Sequence, residues 1–373
     1  MAIDFRVTHA DTGSFARLGV LTLSRGVQIP TPAFMPVGTK GAVKSLSPSE
    51  VQSLGYQMIL CNAYHLYLRP GQDLIRRHGG LHRFMNWDGG IITDSGGYQI
   101  FSLAALRNVS SEGVEFRSHI DGSVHLFTPE KSVEVQALLG CDIAMCLDHV
   151  VGYPVDKSEA ASAVKRTLNW AKRCAATQKR VDPPLFGIVQ GSTFADLRAE
   201  SAEGLVALGL DGYAIGGLSV GEPAEKMLQV LDITVPLLPR HIPRYLMGVG
   251  KPIDILEAVV RGIDLFDCVL PTRNARNGML FTSHGRMNIR NACYKEDLRP
   301  VDKDCKCELC RNYSRSYLRH LFLEKEIYAH RLASVHNLSH YANAMSDIRT
   351  AIAAGTVSTL YRRFLAEMEE LDD

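Results

Sequence analysis

The sequence has little of what would place a chain outside the ordinary globular class. No uncharged run reaches the roughly 18 apolar residues that a membrane helix requires. The opening segment, MAIDFRVTHADTG, has neither a basic n-region nor an apolar h-region, so no signal peptide is expected. Internal repeats, low-complexity segments and Pro/Ser-rich linkers are absent. Net charge is almost nil, +1 over 373 residues, and the nine cysteines are an odd number with no disulfide-framework spacing. What remains is a soluble, cytoplasmic protein of one large domain or two ordinary ones. Its 46 % hydrophobic content predicts a sizeable core.

The small net charge is unevenly placed. Residues 271–320 hold eleven Lys/Arg against five Asp/Glu, a local +6, which leaves about −5 for the rest. The C-terminal AEMEELDD adds to that acidity. A basic region on a near-neutral chain suggests a polyanion footprint on one face, although charge alone equally describes a solvated surface. Six cysteines stand singly in apolar surroundings (Cys61, Cys141, Cys146, Cys174, Cys268, Cys293) and read as buried free thiols.

Eight short apolar runs punctuate the chain at 33–38, 57–62, 90–94, 142–148, 185–190, 212–217, 245–250 and 264–270. Amphipathic stretches at 129–140, 157–180 and 194–209 lie between them. In the longest, apolar residues 160, 161, 163, 164, 168, 170, 171 and 174 form one broad face. Buried-type strands alternating with helices predict an α/β fold, a parallel (β/α)8 TIM barrel. A doubly wound open sheet is the rival. It would want a Gly-rich phosphate turn after the first strand, which VGTKGAV matches poorly.

In a barrel, active-site groups gather at the C-terminal strand ends. Those ends read Asn62, Asp94, Asp148, Gln190, Gly216–Gly217, Gly248 and Asp267. A single Asp closing an apolar run is ordinarily a cap or turn residue. Three carboxylates and two amides around one rim suggest a site instead.

Cys305-x-Cys307-x2-Cys310 followed by His336 offers three thiolates and an imidazole, a closed tetrahedral shell for one structural zinc ion. His320, His330 and His340 are the competing fourth ligands. The bland alternative is free thiols in a basic loop. Catalytic zinc of the nucleobase-deaminase kind would need a Glu beside its His, and VHNLSH has none. Structural zinc contributes folding energy, on the order of 10–16 kcal/mol in small zinc peptides.

TDSGGYQIFSL (93–103), FGIVQGS (186–192), DGYAIGGLSVGE (211–222), YLMGVGKP (245–252), FDCVLPTRNARNG (266–278) and the Cys305/Cys307/Cys310/His336 set occur in this order. Over essentially its whole length the chain resembles the tRNA-guanine transglycosylases, or queuine tRNA-ribosyltransferases, of the bacterial single-subunit kind. The resemblance implies a barrel core over 1–275 and a zinc-binding helical subdomain over 276–373. It also implies exchange of guanine at the wobble position of tRNAs with a G-U-N anticodon (Asn, Asp, His, Tyr) for a 7-deazaguanine base, and a homodimer. By motif, Asp267 resembles the nucleophile and Asp94 the general acid/base. Asp148, Gln190, Gly217 and Leu218 resemble the base-reading set, with Tyr98 and Met247 enclosing the base. Arg273 and Arg276 resemble residues that hold the flanking nucleotides.

The chemistry agrees with these roles. Replacing a base on an intact chain breaks a glycosidic bond and remakes it at the same carbon. Double displacement does so with retention, through a covalent ribosyl-carboxylate. The outgoing base needs a proton and the incoming one must lose one, which a second carboxylate serves both ways. A wobble nucleotide lies in a loop, where splaying out a base costs less than from a duplex. The chain departs from the bacterial pattern after Asp148: His149-Val150 stands where Glu-Cys is usual, as in eukaryotic catalytic subunits. Val220 stands where those eukaryotic members tend to have a small Gly. Of the two bases, the aminomethyl precursor (preQ1) is expected over queuine. A retaining glycoside hydrolase would share the two carboxylates, but not the Arg pair or the zinc subdomain. A non-catalytic tRNA-binding subunit would not need both Asp94 and Asp267.

Overall fold

The computed structural model describes residues 3–103, 107–181 and 183–369. The acidic C-terminal segment noted above runs to residue 373, so its last four residues lie outside the described ones. Strands β1 (Asp4–Ala10), β2 (Arg17–Thr22) and β3 (Gln28–Thr31) form an antiparallel sheet. The barrel strands are β4 (Ala33–Pro36), β5 (Met58–Cys61), β6 (Gly90–Thr93), β10 (Ala144–Met145), β11 (Leu185–Val189), β12 (Gly212–Ile215), β13 (Arg244–Leu246) and β14 (Leu265–Cys268). β7 (Arg107–Val109), β8 (Val114–Arg117) and β9 (Val124–Phe127) make a separate antiparallel sheet between β6 and β10. β15 (Met279–Thr282) and β16 (Gly285–Asn288) form a late hairpin.

All eight apolar runs are barrel strands. β10 to β14 pair in parallel in sequence order, and β14 pairs with β4. β5 pairs with β6. Single parallel bridges, Val37 to Leu60 and Ile92 to Ile143, join the two sheets into a ring. That closure leaves no edge strand in the barrel. The expected helices form over Pro129–Leu139, Lys157–Val181 and Ala195–Val206. Ala160, Ala163, Val164, Trp170, Ala171 and Cys174 are the buried stripe of the longest of them.

The strand runs lack a polar face because both faces are covered. Met58 and Leu60 point into the barrel, while Ile59 and Cys61 meet the helices. Along β14, Leu265 is interior and Phe266 exterior, so the period of two turns Asp267 inward at the mouth. The same count through interior Ile92 turns Asp94 inward. Leu21 and Ile29 of the first sheet, with Leu23 just past β2, join the interior cluster. Since β3 leads straight into the start of β4, that sheet plugs the N-terminal end and leaves the C-terminal end for chemistry.

The C-terminal region packs on the barrel through the helix Ile327–Ala354. Tyr56 Oη donates to Leu338 O (2.7 Å), Arg349 to Pro32 O (2.9 Å), and Asn337 Nδ2 to Pro271 O (2.9 Å). The expectation of six buried thiols holds for Cys61, Cys146 and Cys174, while Cys141 and Cys268 are only partly buried. Cys293 is exposed, not buried, because it sits in a short 3-10 turn between Asn291 and Lys295 rather than on an inward-facing element. Among the described residues, no helix is long and apolar enough to cross a membrane.

Candidate active site and metal centre

A cavity of about 480 Å³ opens at the C-terminal ends of the strands. Asp94, Asp148, Gly217, Leu218, Tyr98, Met247, Asp267 and Arg273 all line it. Gln190 lies behind this wall and Arg276 beside it; neither lines the cavity.

Asp94 is only 6 % exposed. Asn62 Nδ2 donates to its Oδ2, and the Ala63 N–H donates to Oδ1 at 2.8 Å. Ala63 opens the helix Ala63–Leu68, so this donor is one of the orphan amides of a first turn. Burial pushes the Asp94 carboxyl up to about 6; the hydrogen bonds pull it down, and the nearby Asp267 charge pushes it up. The group therefore sits near the range where it can both give and take a proton.

Asp267 is held differently. Tyr245 Oη donates to its Oδ1 at 2.5 Å, and the Gly248 N–H donates to the same oxygen at 2.9 Å. Burial raises its pKa, while both donors lower it. Both bonds fall on one oxygen, which leaves Oδ2 to face the cavity chemistry.

Asp148 accepts from Ser95 Oγ (2.9 Å) and Gln190 Nε2 (2.7 Å). Its pKa is raised by burial and held back by those two donors. A carboxylate has about four acceptor sites, so two remain for a ligand with paired donors. Gly217 is in the left-handed region (φ 63°), and a Cβ there would lie 2.3 Å from Gln190 Oε1. Only glycine lets this loop sit so close to Gln190. Tyr98 is half exposed and Met247 partly buried, and both line the cavity.

Arg273 and Arg276 lie on the helix Leu270–Arg276 that follows β14. Arg273 is exposed, whereas Arg276 is half-buried and donates back to Thr272 O (2.9 Å). Lys40 and Lys44 come from the loop after β4 to the same region: Lys44 is lowered by burial and by the charges of Lys40 and Arg276. Sequence reading missed these two lysines because they are 230 positions from the arginines along the chain. Tyr245 was also missed; it reads as one more apolar residue of a buried strand.

Cys305, Cys307, Cys310 and His336 bring their ligand atoms within 4.8 Å of one another. His336 Nδ1 lies 3.5 Å from Cys307 Sγ and 3.3 Å from Cys310 Sγ. Its Nε2 bonds the Phe281 carbonyl at 2.7 Å, which fixes the tautomer with Nδ1 free to ligate. Three thiols and one oriented imidazole fit a tetrahedral metal with no open position. Of the four candidate histidines, His336 is the one in this cluster. His340 stacks on Phe281 instead, and His330 packs on Phe322.

A sequence model of the family described as Queuine tRNA-ribosyltransferase matches residues 11–370. A Queuine tRNA-ribosyltransferase of Pelotomaculum thermopropionicum is 55 % identical over 369 residues, covering 99 % of this chain and 100 % of that one. One from Desulforamulus reducens is 54 % identical over 352 residues, with 94 % and 95 % covered. One from Symbiobacterium thermophilum is 54 % identical over 366 residues, with 98 % and 91 % covered. The match spans the barrel, the cavity and the metal cluster together: the chain belongs to the queuine tRNA-ribosyltransferase family.

Proposed function

We propose that this chain exchanges guanine at the wobble position of tRNA for a 7-deazaguanine by double displacement. The observation that carries the reading is the pair of inward-facing carboxylates, Asp94 and Asp267, held in opposite ways at one cavity. Asp267 attacks the ribose anomeric carbon through Oδ2, and the guanine leaves. Tyr245 and Gly248 orient the attacking carboxylate and favour its ionised form against the opposing effect of burial. Asp94 delivers a proton to the departing base and later takes one from the incoming base. The covalent ribosyl-Asp267 ester keeps the RNA attached between the halves.

Asp148, with Gln190 behind it, accepts the N1 and N2 donors of the base, and the Gly217/Leu218 backbone addresses its O6. Tyr98 and Met247 close over the ring. Val150 and Val220 both line the cavity; Val150 matches the eukaryotic pattern, while Val220, branched where those members tend to have Gly, favours the small aminomethyl substituent of preQ1 over queuine. Arg273 and Arg276 hold flanking nucleotides, supported by Lys40 and Lys44. The cysteine–histidine cluster holds one structural zinc ion. It belongs to a C-terminal subdomain of residues 276–373 packed on a catalytic core of residues 1–275. The resemblance alone supports the G-U-N tRNA species, the homodimer and the cytoplasmic location.

Labelled guanine and an unmodified tRNA-Tyr transcript, with no other cofactor, test the proposal. Label appearing at the wobble position is the expected result. Release of guanine without incorporation would mean that water resolves the intermediate, as in a hydrolase. Binding of tRNA with neither release nor incorporation would mean a non-catalytic subunit.

A further inference from the structure

Arg198 is fully buried, on the helix Ala195–Val206 behind the cavity wall. Its guanidinium spends its donors on four backbone carbonyls from two adjacent strand ends. Nε donates to Ser192 O (2.8 Å), and Nη1 to Val189 O (3.0 Å) and Gly216 O (2.8 Å). Nη2 donates to Gly217 O (3.4 Å). Among the described residues no carboxylate lies within ion-pair distance of it, and the Glu222 charge helps from farther off. Burial lowers its pKa only to about 9, so it remains a cation at neutral pH. A guanidinium buried without a paired carboxylate is costly. Four carbonyls from one wall are its compensation.

The carbonyls it bonds matter for the cavity. Gly216 C=O belongs to the same peptide as Gly217 N–H, and Gly217 C=O to the same peptide as Leu218 N–H. Gly217 and Leu218 line the cavity, and neither N–H has a partner among the described residues. A cation bonded to a carbonyl polarises the whole peptide and makes its N–H a stronger donor. The loop is pinned from its far side as well: the Glu222 carboxylate accepts from Ser219 N–H and Val220 N–H.

We propose that Arg198 is a positioning residue that aims and polarises the Gly217 and Leu218 N–H groups toward the 6-oxo oxygen of the bound base. The oxygen becomes more negative as guanine leaves, and a fixed cation behind the donors stabilises that charge without reorganising. The inference rests on the function proposed above.

The test compares guanine with 6-thioguanine, which keeps the N1 and N2 donors but carries a weaker acceptor at position 6. Wild type, Arg198→Lys and Arg198→Gln are measured for the ratio of 6-thioguanine inhibition constant to guanine KM, for tRNA Kd and for melting temperature. Expected are a wild-type ratio well above one and a fall of about tenfold toward one in Arg198→Gln, with guanine KM raised. Arg198→Lys, which keeps the charge, should recover part of the ratio, and tRNA Kd should stay at the wild-type value. A merely structural role would lower melting temperature and total activity in both variants but leave the ratio unmoved, which overturns the proposal. A wild-type ratio near one overturns it without any variant. Failure of wild type to incorporate labelled guanine at all would instead remove the function on which it rests.

Discussion

At the residue scale, two aspartates at one cavity are held differently because their partners differ. Asp267 has a phenol and an amide on one oxygen, so Asp267→Asn should abolish exchange while leaving tRNA affinity within a few-fold of wild type. Full activity in that variant would remove the nucleophile. Asp94 makes a prediction about stability as well as rate. Its folded pKa, about 6, lies above the ordinary value of 3.8. Between these values the folded state holds more protons than the unfolded state, so stability falls as pH rises through the window. At pH 7 the buried charge therefore costs on the order of 2–3 kcal/mol. Asp94→Asn should lose exchange yet melt higher than wild type at pH 7, with the gain disappearing as pH is lowered through 6 to 4. Thermal melts across that range check the sign. The same pKa should give the wild-type kcat/KM profile a limb near pH 6.

At the scale of elements, the long helix Ile327–Ala354 links the cavity region to the candidate metal cluster. Near its middle it presents His336 to the cysteines, while Asn337 bonds Pro271 O at the start of the arginine-bearing helix. Asn337 also holds the first strand of the β15–β16 hairpin, donating to Met279 O and accepting from Phe281 N–H. Losing the metal should therefore disturb the helix that carries Arg273 and Arg276, and not only a remote loop. We expect one zinc per chain by elemental mass spectrometry. Cys307→Ser or His336→Ala should lose the metal, lower the melting temperature by several degrees and weaken tRNA binding. Full metal content in the His336 variant would point to another fourth ligand.

At the scale of the whole molecule, the near-neutral charge hides a division between faces. Of the basic residues in 271–320, Arg273 lines the cavity, and Lys44, from the other end of the chain, lies near Arg276 and Lys40. Binding of tRNA should then release counterions. Three or more phosphate contacts imply a loss of affinity of more than about tenfold between 50 and 200 mM salt. Filter binding across that range tests the footprint, and an affinity indifferent to salt would exclude it. Replacing Lys40 and Lys44 together by Ala should flatten the salt slope without changing guanine binding to the free enzyme.

Much of the molecule was legible from sequence because its strongest signals are local. A strand buried on both faces must be a short apolar run, so the eight strands could be counted before any contact was known. Cysteine spacing at 305, 307 and 310 depends only on a few adjacent residues. The strand-end carboxylates followed from where the apolar runs stop in a barrel. What the sequence could not decide depends on groups that meet across the fold. Tyr245 hides in an apolar strand, and its hydroxyl reaches Asp267 from the neighbouring one. Arg198 reads as one more charge on an amphipathic helix, yet the barrel buries it against four carbonyls. Lys40 and Lys44 meet Arg276 only because the barrel closes β4 onto β14. Local composition determined the elements and the chemistry available at their ends. The closing of the ring alone decided which of those groups share a cavity, how each is desolvated, and therefore which can hold or move a proton.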